Sequence, residues 1–118
     1  MYDLELPENC PKANAKESDT LVFRCVKSNP PTADDLKTYF ELELAGNDEC
    51  KRRAISLYET LEQARHRIEL SPALANHVAS AKLTKAHGMI SQPSNTGHMS
   101  WWPYAGMRNP GEFEVVSE

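Results

Sequence analysis

The sequence predicts an α+β fold: a single domain in which a mixed or antiparallel sheet of about five strands carries two main helices. Three observations predict it. Strand-like runs at residues 20–27, 54–58 and 77–83 are separated by stretches of helical period, and the last third returns to short strand-like runs between turn residues. With 118 residues the chain is long enough for one core and too short for two. Its 40% hydrophobic and 25% charged residues are ordinary for a globular fold.

Residues 1–19 are polar, carry Pro7 and Pro11, and keep neither period, so they predict an arm with room for a short edge strand at its start. The domain proper is expected over 20–118. It begins with "TLVFRCVK" (20–27), where Leu21, Phe23 and Cys25 point one way and Val22, Arg24 and Val26 the other. Both faces are mostly apolar, which suits a central strand. Pro30 and Pro31 end it, because neither can donate to a ladder.

Thr32 then reads as a helix cap, with Asp34 and Asp35 in the first turn and Leu36, Tyr39 and Phe40 on one face. Gly46 supplies the stop. The basic run at 51–53 follows two acidic residues and reads as a solvated face. "AISLY" (54–58) is the second strand expected. Thr60 and Gln63 have capping-box spacing for a helix closed by Ser71 and Pro72, with Leu61, Ala64 and Ile68 on its inner face. In "HVASAKL" (77–83), His77, Ala79, Ala81 and Leu83 alternate with Val78, Ser80 and Lys82, as in a strand. "GMIS" (88–91) and "GHMSWW" (97–102) predict a hairpin around "QPSNTG", and "EFEVV" (112–116) a final strand.

Composition narrows the function. The net charge of −4, from 13 basic and 17 acidic residues, gives no bulk attraction to a phosphate backbone and argues against nucleic acid as a partner. No apolar run is long enough to cross a bilayer, and the first ten residues lack the basic start and apolar stretch of a signal peptide. Cys10, Cys25 and Cys50 are odd in number and match no zinc or redox spacing, which argues against a disulfide framework and points to a reducing, cytoplasmic setting. His66, His77, His87 and His98 are irregularly spaced, so no metal is expected.

The segment "NTGHMSWWPYAGMRNP" (95–110) concentrates the aromatic residues. As strand neighbours Trp101 and Trp102 point oppositely, so one is expected in the core and the other under a loop or at a contact. If the second is open, it forms with His98, Tyr104 and Arg108 a wall for a planar ligand or a partner protein, and His98 and Trp102 share a face. Arg24, in an apolar strand, is either paired with a carboxylate or reserved for an anionic ligand. Ser56 and Tyr58 share one face of the second strand and approach Arg24 if the two strands are neighbours. Cys25 reads as a small buried hydrophobe rather than a nucleophile.

Taken together, "FRCVKSNPPTADDL", "ISLYETLEQAR", "HVASAKL" and "TGHMSWW" resemble a family of small, uncharacterised bacterial proteins over most of residues 20–102. That resemblance implies a bacterial or phage origin but no activity. A looser one is similar to the ADP-ribosyltransferases of the arginine, serine, glutamate type, through Arg24, Ser56 and the E-x-E of Glu112, Phe113 and Glu114. It implies NAD as cofactor, bound by Arg24 and Ser56, with Glu114 as the catalytic carboxylate that steadies an oxocarbenium-like centre.

The leading expectation is a small cytoplasmic binding or interaction module without a cofactor. Arg24, Ser56, Tyr58, His98 and Trp102 would line its pocket for a small-molecule ligand or a protein. The alternatives are the NAD-using enzyme and an immunity or antitoxin-like partner protein.

Overall fold

The computed structural model describes residues 1–116 and is an α+β domain. The last two residues of the expected domain lie outside the described residues. Eight elements follow in order: β1 (Thr20–Val26), α1 (Glu49–Arg52), β2 (Ile55–Tyr58), α2 (Leu61–Leu70), β3 (His77–Leu83), β4 (Gly88–Ile90), β5 (His98–Pro103) and β6 (Glu114–Val115). Short 3-10 turns occupy Ala33–Leu36, Lys85–His87 and Pro110–Glu112. The strands form one antiparallel sheet in the order β4-β5-β2-β1-β3-β6, six rather than five.

Register explains which residues share a face. β3 lies along the whole of β1, with Arg24 opposite Ala79, and β2 pairs with β5, Tyr58 opposite His98 and Ser56 opposite Ser100. One face therefore collects Val22, Val26, Ile55, Leu57, Ala81, Met99 and Trp101, and Leu36 from the first 3-10 turn and Phe113, just after the last one, close over it. This is the main core. The Trp101 indole N–H donates to the His87 carbonyl at 3.1 Å, so the buried ring carries no unpaired donor.

The opposite face is divided between two coverings. α2 packs over β1, β2 and β3, with Ala64 fully buried and its carbonyl 3.4 Å from the Cys25 Sγ. The arm covers the other end, placing Tyr2, Leu6, Cys10 and Ala15 around Trp102. Two isolated bridges hold the arm to the sheet margin, Tyr2 with Tyr104 and Lys16 with Ile90. Contrary to the expectation from the cysteine count, a disulfide joins Cys10 of the arm to Cys50 of α1, and Cys25 is the free thiol. The inference from that count to a reducing compartment loses its basis, since disulfides persist where the surroundings are oxidising.

The expected helix after Thr32 is also corrected. The chain makes one 3-10 turn, turns extended at Lys37, and then forms an isolated turn over residues 39–43. Local side chains end the first turn: the Asp35 carboxylate accepts from the Thr32 and Lys27 N–H groups and holds the segment back against β1. Distant ones fix the second, because Glu41 is captured by Arg108 and the Leu44 carbonyl by Arg52. Tyr39, Phe40, Leu42 and Leu44 are thereby left exposed. The basic run at 51–53 forms the C-terminal end of a short helix, α1: Asp48 caps it, Cys50 is buried, and Lys51 stays exposed. The guanidinium of Arg53 lies 3.9 Å from the centre of the Phe40 ring.

Candidate functional site

Between the two coverings, a strip of the helix-bearing face along β2 and β5 stays open, and it carries Ser56, Tyr58 and His98. β1 and β2 share a single paired position, Phe23 with Tyr58, and then part. Arg24 fills the gap. Its Nη1 donates to the Ser56 carbonyl at 2.7 Å and its Nε to the Asp35 carbonyl at 2.6 Å, with a longer bond of 3.5 Å from Nη2 to Lys37. The guanidinium thus does the work of missing ladder donors. It also has more N–H groups than these three acceptors use, since arginine carries five.

Arg24, Ser56, Tyr58 and His98 line one cavity of about 210 Å³, together with Tyr39 and Arg67. Four of the five binding residues expected from the sequence are brought together here. A wider cleft of about 850 Å³ opens over Arg24, Ser56 and Arg67, with Tyr39, Leu42 and Leu74 at its margins. Trp102 is not among them. It shares the face of His98, as expected, but is 1% exposed beneath the arm, and its indole N–H donates to the Cys50 carbonyl at 2.9 Å. Tyr104 and Arg108 are engaged elsewhere, the first with Glu17 and the second with Asp3 and Glu41.

Electrostatics distinguish the pocket from an ordinary polar surface. Burial lowers the Arg24 guanidinium to about 10, still cationic at neutral pH. Arg67, from α2, stands beside the Tyr58 hydroxyl; burial raises that phenol above its usual value and Arg67 opposes the rise. Neither Arg24 nor Arg67 makes an ion pair among the described residues. His98 Nε2 lies 2.9 Å from Ser56 Oγ, and the imidazole meets the Tyr58 ring edge-on at 5.6 Å. Burial, with Lys51 and Arg67 adding to it, lowers His98 below 6.5, so its ring is neutral at pH 7. Cys25 borders the cavity, but burial raises its thiol, which suits a packing role.

No protein-family model, curated protein or solved structure matches the chain. The pocket must therefore be judged on its own chemistry.

Glu114 stands apart from it. β6 is the second strand out from β1, about 10 Å away at ordinary strand spacing, and Phe23 and Ser80 lie between Glu114 and Tyr58 along one row of the sheet. Among the described residues, no group of three or more His, Cys, Asp or Glu is arranged to hold a metal ion. Nor is any described helix long and apolar enough to cross a membrane. Arg67 is the pocket residue that the sequence reading missed. Its four-residue spacing from Gln63 on the polar side of α2 is a faint signal, and only the tertiary position of that helix aims it at β2.

Proposed function

We propose that the protein is a small binding module whose pocket takes the anionic group of a small ligand. One observation carries this reading: two guanidinium groups converge on a cavity, and neither makes an ion pair with a carboxylate among the described residues. Buried or half-buried cations are ordinarily neutralised, and a carboxylate or phosphate oxygen is the complement that Arg recognises best. Ser56 and the neutral His98 add hydrogen-bonding groups that can orient it. The NAD-using reading draws no support from the position of Glu114.

The test is thermal unfolding of the full chain in phosphate or acetate, against chloride at equal ionic strength. A ligand of the folded state raises Tm by mass action. Phosphate or acetate is expected to raise it, and Arg67→Ala, which breaks no hydrogen bond to the backbone among the described residues, to remove the rise while leaving the ligand-free Tm close to wild type. Arg24→Ala should remove it too, but also destabilises the fold by about 2 kcal/mol by orphaning carbonyls. Equal Tm values in all three salts would defeat the proposal.

A further inference from the structure

The cavity does not end at Arg67. A groove of about 670 Å³ continues from it between α2 and the turn that leads into β5, and Tyr58, Arg67 and His98 line both spaces. Its walls are Gln63, Arg67 and Leu70 on the helix side and Thr96 on the turn side. The turn approaches α2 this closely because Gly97, at φ +79°, has no side chain: a Cβ there would fall 1.9 Å from the Gln63 amide oxygen. That same amide caps α2 by accepting from the Thr60 N–H, so the mouth of the groove and the start of the helix are fixed by one contact.

The groove and the cavity differ in chemistry. The cavity holds Arg24 and the Ser56 to His98 hydrogen bond. The groove presents the Tyr58 ring, the edge of the His98 imidazole, the hydrocarbon stems of Gln63 and Arg67, and Leu70, which is 66% exposed and apolar at the end of a helix. Glu62 borders the groove and disfavours a second negative charge there. The volume lies within the range of small-molecule sites, roughly 300–1,000 Å³.

Resting on the anion-binding reading, we infer that the ligand is an amphiphilic acid: one anionic head seated between Arg24 and Arg67, and an aryl or short alkyl body lying in the groove against Tyr58 and Leu70. The occupant is a free small molecule rather than a membrane lipid, because the groove is bounded on both sides by α2 and the turn.

Calorimetric titration of the full chain with acetate, octanoate, 1-naphthoate and the neutral 1-naphthamide separates the terms. Octanoate and naphthoate are expected to bind at least about ten-fold more tightly than acetate, since apolar area leaves water along the groove. Naphthamide should bind more weakly than naphthoate. Thr96→Trp, which fills the groove, should bring both larger acids toward the acetate value. Arg67→Ala should weaken all three acids.

Acetate and naphthoate binding within about two-fold of one another would overturn the amphiphile inference and leave the anion reading intact. Naphthamide binding as tightly as naphthoate would overturn the role of the head. Binding to none of the acids would remove the anion reading itself, and this inference with it. Sedimentation with phosphatidylglycerol vesicles, with no binding of the free acids, would make a lipid surface the partner and overturn the proposal.

Discussion

Arg24 shows what a single residue can reveal. Its position in an apolar strand marks it as exceptional from sequence alone, because a guanidinium there needs an acceptor or a ligand. Which acceptors it uses was not legible: the carbonyls of Asp35 and Ser56 reach it only because β1 and β2 separate after one pair. His98 gives a prediction at the same scale. Its pKa in the folded protein lies below 6.5, so above that pH both folded and unfolded chains carry it neutral and its full contribution is present. As pH falls below 6.5 the unfolded chain takes up the proton first, and stability is lost until the folded value has been passed. Urea unfolding between pH 7.5 and 5 should show this loss in the wild type. The loss should be smaller in His98→Gln, which keeps a hydrogen-bonding group beside Ser56; identical slopes would remove the assignment.

Elements were legible where their determinants are local. The Thr60 and Gln63 capping box sits within one turn of sequence, and both of its hydrogen bonds are formed, at 3.2 and 3.0 Å. Thr60→Ala should therefore cost about 1 kcal/mol in urea unfolding. The strands at 20–26, 55–58 and 77–83 and the late hairpin follow their side-chain alternation closely. The helix expected after Thr32 failed for the opposite reason. Thr32 does stand at the N-cap position, but its side chain makes no cap hydrogen bond; the Asp35 carboxylate turns back to Thr32 and Lys27, and Arg108, distant in sequence, holds Glu41. Periodicity carries no information about either contact. Burial alone would raise Glu41, yet hydrogen bonds from Arg108 and Thr38 prevail and hold it below its ordinary 4.5.

At the scale of the whole molecule, the arm is what composition could not foretell. Its residues have no core of their own, and they acquire order by covering Trp102 and by the disulfide from Cys10 to Cys50. The neighbouring tryptophans were expected to divide between core and covering, and they do; the identity of the covering depended on a contact across most of the chain. Closing a loop of 40 residues restricts the unfolded chain by about 4 kcal/mol in the chain-entropy description. Reduction, or Cys10→Ser, should lower Tm and increase acrylamide quenching of tryptophan fluorescence, with Trp102 responding and Trp101 protected. Unchanged quenching after reduction would mean that the arm stays seated without its bond.

The bridge between Lys16 and Ile90 has a bearing on how copies of the chain behave toward one another. β4 is the outermost strand on its side, and both backbone groups of Ile90 are occupied by Lys16, at 2.9 and 3.0 Å. Lifted away, the arm would bare a hydrophobic margin able to recruit the same margin of another molecule, the first step toward fibrils or swapped dimers. Removal of the first sixteen residues is therefore expected to appear as turbidity at high concentration before it is felt at the pocket.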